Sequence, residues 1–182
     1  MACYIAFLRG VNVGGRIIKM DELRKHFAAM GLANAETLIA SGNVLFDSAA
    51  KPAALQTKIA DGLKRALGYD VKIFVRSAAE IAEVAKQQPF PPARAKSAKV
   101  LLVGFVDDPV NPATKKKWLS FQSEIDDFAV KGRELYWLAQ LGQSASPLFK
   151  VPLERVLGIS ITFRNMNTVR KIAEKAASRK SG

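Results

Sequence analysis

The stretch LRGVNVGGR, residues 8–16, combines the residue types that an anion site requires. The residues that could contact a ligand here are Arg9, Gly10, Asn12, Gly14 and Gly15. Backbone amides freed by the glycines could form a concave anion site at the start of the following helix, and the arginine would add charge-assisted hydrogen bonds. The spacing matches neither a P-loop nor the G-x-G-x-x-G dinucleotide pattern. A tight connection, in which the glycines only supply positive φ angles and the asparagine binds backbone, is the alternative.

Two further polar clusters are candidates for the same site. The first has the composition of a hairpin turn and consists of Ser41, Gly42 and Asn43. The second, RNMNT, opens the last predicted helix and supplies Arg164, Asn165, Asn167 and Thr168. An N-cap at Asn165 leaves amides free at the helix start, beside an arginine. Plain helix capping is the alternative for this cluster.

The scarcity of histidine and cysteine excludes several kinds of chemistry. His26 is the only histidine and Cys3 the only cysteine, so one chain cannot build a zinc site of His/Cys type or an internal disulfide. His26 lies beside the apolar stripe of a predicted helix, which argues against a Ser-His-Asp triad. The pairs Asp107-Asp108 and Asp126-Asp127 are interpreted as the starts of turns rather than as metal ligands. We therefore expect no metal and no cofactor, and no residue type suggests a catalytic group.

Composition indicates a basic globular protein. The chain has 182 residues, 49% of them hydrophobic, and a formal net charge of +12. Such an excess of positive charge attracts polyanions over long range. The cations expected to form the main patch are Arg94, Lys96 and Lys99 together with Lys115, Lys116 and Lys117. No apolar run is long enough to span a bilayer, and the first residues lack the basic region of a signal peptide, so we expect a cytoplasmic location.

Hydrophobic periodicity divides the first part of the chain into strand, helix, two strands, helix, strand and an extra helix. The supporting signals are a buried strand at Cys3–Gly10, a helix at Met20–Gly31, a hairpin around residues 41–43, a helix from Pro52 to Gly68, a strand at 71–75 and a capping box at Ser77–Glu80. Two apolar runs in ETLIASGNVLF, residues 36–46, are interpreted as the two strands of the hairpin.

The same order of elements repeats after a segment rich in proline and lysine. The predicted elements of the repeat are a strand at 99–106, a helix at 111–122, a hairpin turning at Gly132-Arg133, a helix at 146–158, a strand at 159–163 and a helix from Asn165 to about Ala177. We infer a duplication, with halves at 1–88 and 98–182 joined by a linker at 89–97. The predicted fold is α+β: two tandem ferredoxin-like (βαββαβ) halves, antiparallel sheets with helices packed on them.

This connectivity makes a geometric prediction. The loop after the first strand and the turn between the second and third strands must lie at the same end of the first sheet. Arg76 and Arg164 follow strands that run the other way, so each should lie toward the opposite end of its own sheet. The motif clusters of the two halves form one site only if the halves pack with their ends reversed.

Several stretches resemble the bacterial family known as domain of unknown function 1697. They are YIAFLRGVNVGG, KMDELR, SGNVLF and TFRNMNTVRKIAE. The resemblance implies tandem ferredoxin-like halves and marks the polar residues of the three clusters above as the motif residues. Met166 stands where the family pattern implies a tryptophan. The resemblance brings no established activity.

Three functional hypotheses follow from these patterns. The first is a cytoplasmic anion-binding protein for nucleic acid or another polyanion. The second is an enzyme or sensor for a small phosphorylated or carboxylated ligand held by the loop at residues 9–16. The third is a structural scaffold without a ligand. The expected partners are thus nucleic acid or a phosphorylated small molecule, with no membrane, and the oligomeric state stays open.

Overall fold

The computed structural model describes residues 1–39 and 42–179. Its strands are β1 (Ala2–Arg9), β2 (Ala33–Thr37), β3 (Asn43–Ser48), β4 (Lys72–Ser77), β5 (Val100–Phe105), β6 (Asp126–Lys131), β7 (Glu134–Ala139) and β8 (Thr162–Asn165). Its α-helices are α1 (Met20–Ala29), α2 (Pro52–Leu67), α3 (Ala78–Ala85), α4 (Pro92–Ser97), α5 (Pro112–Leu119), α6 (Leu153–Leu157) and α7 (Met166–Arg179). Within these residues, no helix is long and apolar enough to cross a membrane.

Local sequence signals account for several helix boundaries. Proline occupies the first turn of α2, and Gly68 ends that helix in the left-handed conformation, with φ of 79°. Ser77 and Glu80 form the predicted capping box at the start of α3, because each side chain accepts the backbone N–H of the other, at 3.2 and 2.8 Å. Asn111 caps α5 by accepting the N–H of Thr114.

Among the described residues, one compact unit, unit 1, contains those of Met1–Ala85 and residues 170–179. Its antiparallel sheet has the strand order β2-β3-β1-β4. Alternate residues of β1 point to opposite faces, and those on one face form a core with α1 and α2 that includes Ala6, Phe27, Phe46 and Ile59. On the other face, Ile5, Phe7 and Phe74 are completely buried as well. Both faces of this sheet are therefore closed to solvent at its centre.

The second compact unit, unit 2, contains Lys86–Val169. Its antiparallel sheet has the strand order β6-β7-β5-β8. The core is aromatic: Trp118 of α5 is fully buried and its ring lies 4.7 Å from that of Phe128 and 6.1 Å from that of Phe163. The predicted α+β class, with two four-stranded antiparallel sheets and helices, is confirmed.

Ion pairs and a hydrogen bond attach the end of α7 to strand β2 of unit 1. Lys175 and Arg179 each form an ion pair with Glu36 of β2, at 3.0 and 3.1 Å, and Arg179 also donates to the carbonyl of Asn34 at 2.6 Å. Partial burial raises the pKa of Glu36, but the hydrogen bonds and charges of these two cations outweigh it, so the net pKa is lowered. Residues 170–179, which the sequence analysis placed in the second half, thus group with the first.

Three segments differ from the predicted elements. Strand β2 ends at Thr37, so the apolar Leu38 and Ile39 lie in the connection rather than in a strand. The segment 89–97, expected to be a linker, contains helix α4. The helix predicted at 146–158 is divided into the 3₁₀ turn Pro147–Lys150 and the short helix α6, because Pro152 disfavours helical conformation in the residue before it.

The interpretation of Asp126-Asp127 as the start of a turn is wrong. Both residues belong to β6, and Asp126 is buried with only 3% of its surface exposed. Its carboxylate accepts hydrogen bonds from Trp137 Nε1 at 2.7 Å and from Ser146 Oγ at 2.6 Å. A buried carboxylate needs such partners, and here they join the hairpin to the segment before α6.

Candidate functional site

The glycine loop and the β2–β3 connection meet at one end of the sheet in unit 1. The N–H of Leu8 donates to the carbonyl of Gly42 at 2.8 Å, and Phe7 lies opposite Asn43 in the β1–β3 ladder. The connectivity predicts this proximity. We call this region, formed by residues 9–19, 38–39, 42–43 and 72, the loop end of unit 1.

Two cations lie opposite each other at this end. Arg9, the last residue of β1, pairs in register with Lys72, the first residue of β4. Directly opposite residues of an antiparallel pair point to the same face, so both side chains extend the row begun by the buried pair Phe7 and Phe74. Arg9 is exposed and Lys72 is partly exposed, with its Nζ 5.7 Å from the ring of Phe74.

The three glycines hold the loop in conformations that other residues rarely adopt. Gly10, Gly14 and Gly15 have φ of 81°, 62° and 79°. A Cβ atom built on any of them would meet no atom within 4 Å. These glycines are thus required by backbone conformation and not by close packing.

The remaining polar residues of the loop have structural partners. The side chain of Asn12 accepts the N–H of Ile18 at 2.9 Å and so closes the loop. Tyr69 donates its hydroxyl to the carbonyl of Val11 at 2.8 Å, and the guanidinium of Arg16 lies 4.4 Å from the centre of the Tyr69 ring. The hydrogen bond between Asn12 and the backbone that the turn interpretation predicts is therefore present.

Asn43 shapes the β2–β3 connection. It is 2% exposed, and its Nδ2 donates to the carbonyls of Leu38 and Ile39 at 2.9 and 3.2 Å. Its own carbonyl accepts the N–H of Leu38 at 3.0 Å. These bonds explain why β2 stops at Thr37. Ser41, the other predicted side chain of this turn, lies outside the described residues.

Asn43→Ala is expected to destabilise the protein by about 2 kcal/mol, because the carbonyls of Leu38 and Ile39 both lose the donor that the buried Asn43 side chain supplies. Thermal or urea unfolding would measure the loss. Gln88→Ala is the control, since it removes an amide side chain from an exposed position in a connection. An Asn43 variant as stable as this control would contradict the structural role.

In unit 2 the side chains of Arg164 and Asn165, in the cluster RNMNT, form hydrogen bonds with the backbone. Arg164 donates to Thr162 Oγ1 and to the carbonyl of Phe163, both at 2.8 Å. Burial lowers the pKa of Arg164 to about 10, so its guanidinium remains charged at neutral pH. Asn165 accepts the N–H of Asn167 at 2.8 Å and caps α7, as the capping alternative predicts. Asn167 is exposed and Thr168 is partly exposed.

The basic patch expected around residues 94–99 is partly neutralised. Arg94 donates through Nε and Nη2 to one carboxylate oxygen of Asp127, at 2.9 and 2.7 Å, and also binds the carbonyl of Glu124. Lys115, Lys116 and Lys117 are exposed along α5. In the part of the chain that the structure describes, no three His, Cys, Asp or Glu residues are grouped to hold a metal.

Sequence reasoning missed one member of the loop end. Lys72 follows an ordinary connection after α2, and nothing in its neighbours marks it. Only the strand register brings it opposite Arg9. Arg9 and the glycines could be found because arginine and glycine at that spacing are themselves informative.

Comparison with known proteins identifies the family but not an activity. Over 97% of its length the chain is similar to a conserved bacterial protein from Streptococcus pneumoniae, with 23% identity, 99% of that chain covered and a TM-score of 0.76, which shows a shared fold. No curated protein matches the sequence. A family profile described as "Protein of unknown function (DUF1697)" matches residues 1–136. The chain belongs to the DUF1697 family of proteins of unknown function.

Proposed function

We propose that this protein binds anions and that the loop end of unit 1 is the site. The observation that carries the proposal is the pairing of Arg9 with Lys72. Two cations at neighbouring positions of one end of the sheet make the local potential positive, which favours the approach of an anion. The adjoining loop holds Gly10, Gly14 and Gly15 at positive φ, and glycine-rich loops of this kind can direct backbone N–H groups toward an anion.

The ligand class that best suits this site is a phosphate-bearing molecule. Phosphate oxygens accept hydrogen bonds from arginine, lysine and backbone amides alike. The net charge of +12 would speed the approach of a nucleic acid or another polyanion. Base stacking on the centre of the unit 1 sheet is not available to such a ligand, since Ile5, Phe7 and Phe74 are buried. A polyanion would therefore bind through its phosphates.

The second candidate is an enzyme or sensor for a small phosphorylated or carboxylated ligand at the same loop. It is favoured by the closeness of Arg16 and Tyr69 to the loop, because this pair adds a cation and an aromatic face beside a single anion position. We propose no reaction for it. Both candidates share the anion position, and they differ in the length of the ligand.

We further propose that each half has the ferredoxin-like topology and that the halves, 1–88 and 98–182, arose by duplication. The strand orders β2-β3-β1-β4 and β6-β7-β5-β8 support this, since they correspond element by element. A finer detail also corresponds: Arg76 and Arg164 each donate Nη1 to the carbonyl of the preceding residue, at 3.1 and 2.8 Å. A cytoplasmic location remains a proposal, supported by the single cysteine.

Replacement of the paired cations tests the anion site. Arg9→Ala/Lys72→Ala should weaken binding of a fluorescent single-stranded oligonucleotide about tenfold at low salt. It should also make the slope of log affinity against log salt concentration shallower, by the amount that corresponds to about two phosphate contacts. The matched control is Lys115→Ala/Lys116→Ala, which removes the same charge from exposed positions on α5. A larger loss of affinity in the control variant would indicate that the oligonucleotide binds at α5 instead.

Nucleotides and sugar phosphates, tested for a rise in melting temperature with the same variants, distinguish the two candidates. A small phosphate that stabilises the wild-type chain but not the Arg9/Lys72 variant supports the small-ligand candidate. Absence of binding by the oligonucleotide and by every small phosphate would overturn the proposed function.

A further inference from the structure

An open groove lies between helix α1 and strand β2 of unit 1. Its volume is about 670 Å³. We call it the α1–β2 groove, and its lining includes Arg24, Lys25 and Ala28 of α1, Leu32, which directly precedes β2, and Ala35 of β2. None of the described residues that line it belongs to the loop end of unit 1, so the groove is a separate surface.

The α1–β2 groove carries cations that have no partner. Lys25 is exposed on α1, and the Nζ of Lys58, from α2, lies 4.0 Å from the position that a Cβ atom on Gly31 would occupy. Among residues 1–39 and 42–179, neither lysine has a hydrogen bond or an ion pair. The carboxylate in the lining, Asp21, is already paired with Arg24. The local potential is therefore positive and favours an acidic ligand.

The lining also combines aliphatic side chains with the edge of a sheet. Ala28, Leu32 and Ala35 supply the aliphatic part. In the described sheet, β2 is an edge strand that is hydrogen-bonded only to β3. Edge strands present backbone N–H and C=O groups with which an extended segment can pair. Since no aromatic side chain of the described residues lines the groove, nucleic-acid bases would have nothing to stack on. These features favour an extended peptide over a nucleic acid.

The shape of β2 argues against a second copy of this chain as the occupant. Between the pairs Ala33–Asp47 and Glu36–Leu45, β2 has two residues where β3 has one, which is a β-bulge. Asn34, within the bulge, has φ of 52°. A bulge interrupts long edge-to-edge pairing between sheets, and two copies with a net charge of +12 repel each other. A short acidic segment meets neither obstacle.

We infer that the α1–β2 groove binds a short, extended, acidic segment of a partner protein. Its carboxylates lie near Lys25 and Lys58, and its other side chains lie on Ala28, Leu32 and Ala35. Successive side chains of an extended segment point to opposite sides, so a segment in which acidic and apolar residues alternate satisfies both kinds of contact. The inference does not depend on anion binding at the loop end.

The test measures, by fluorescence anisotropy with the full chain, the affinity for a labelled hexapeptide of alternating glutamate and valine. Lys25→Glu/Lys58→Glu should weaken binding at least about tenfold at low salt, because two attractive charge pairs become repulsive. The matched control, Lys115→Glu/Lys116→Glu, makes the same change of net charge at exposed positions of α5. Its affinity should stay within about twofold of the wild-type value, as expected for charges far from the peptide.

A second pair of variants tests the groove without changing its charge. Ala28 and Ala29 are adjacent, exposed residues of α1, but of the two only Ala28 lines the groove. Ala28→Gln occupies part of the groove and should weaken peptide binding about fourfold, the effect of leaving one methylene group in water. Ala29→Gln should leave the affinity unchanged, and a hexapeptide of alternating lysine and valine should not bind.

Failure of the wild-type chain to bind the glutamate peptide, or equal losses in the Lys25/Lys58 and Lys115/Lys116 variants, would overturn the inference. An Ala28→Gln variant that binds as tightly as Ala29→Gln would overturn it as well. A single-stranded oligonucleotide that displaces the peptide and is itself bound more weakly by the Lys25/Lys58 variant would assign the groove to nucleic acid instead. Phosphate binding at the loop end is measured separately, so each proposal fails or stands by itself.

Discussion

Trp118→Ala is expected to lower the free energy of unfolding by about 4 kcal/mol, the largest effect of a single substitution considered for this chain. The indole is fully buried, packs 4.7 Å from the ring of Phe128, and donates Nε1 to the carbonyl of Ala129 at 3.1 Å. Truncation removes the ring contacts, leaves a cavity and removes the donor of the Ala129 carbonyl. Urea unfolding followed by the fluorescence of the remaining tryptophan, Trp137, measures the loss.

Two controls separate the contributions to this effect. Leu119→Ala changes the adjacent residue of α5, which is 37% exposed, and should cost less than about 1 kcal/mol. Trp118→Phe keeps an aromatic ring but lacks the donor, and should cost about half as much as alanine. If Trp118→Ala were no more destabilising than Leu119→Ala, the aromatic core of unit 2 would be described wrongly.

Asp126→Ala is expected to cost about 3 kcal/mol. The buried donors Trp137 Nε1 and Ser146 Oγ would both lose their acceptor, and an unpaired buried donor retains its full desolvation penalty. Because Ser146 also accepts the N–H of Leu148, the 3₁₀ turn before α6 should loosen as well. Hydrogen exchange of the Leu148 amide, together with urea unfolding, tests both parts.

The control for Asp126 is Asp108→Ala, which removes the same charge from an exposed position. It should change stability by less than about 0.5 kcal/mol. Asp126→Asn retains one acceptor oxygen and should fall between the two. Equal stability of the Asp126 and Asp108 alanine variants would mean that the buried carboxylate is not what joins β6 to this segment.

Most of the architecture was accessible to sequence reasoning because it depends on local signals. The proline and glycine that bound α2, the Ser77–Glu80 box and the turn at Gly132 each act within a few residues. The predictions fail where residues distant in the sequence determine the environment of a side chain. Asp126 resembles a turn residue until Trp137 and Ser146, eleven and twenty positions away, are placed beside it.

The candidate site was predictable to a similar extent. Connectivity alone brings the glycine loop to the β2–β3 connection, and composition marks Arg9. The strand register that opposes Lys72 to Arg9, and the bonds that turn Asn43 and Asn165 into structural residues, depend on tertiary placement.

The central claim is that an anion binds at the loop end of unit 1, and titration of inorganic phosphate into the ¹⁵N-labelled protein tests it most directly. Glycine amides resonate in a distinct region of the ¹H–¹⁵N spectrum, so Gly10, Gly14 and Gly15 can be followed individually. The account predicts saturable shifts of these three amides together with that of Lys72, and their loss in Arg9→Ala/Lys72→Ala. Shifts confined to the amides of Lys115, Lys116 and Lys117, or no saturable shift at the glycines, would contradict it.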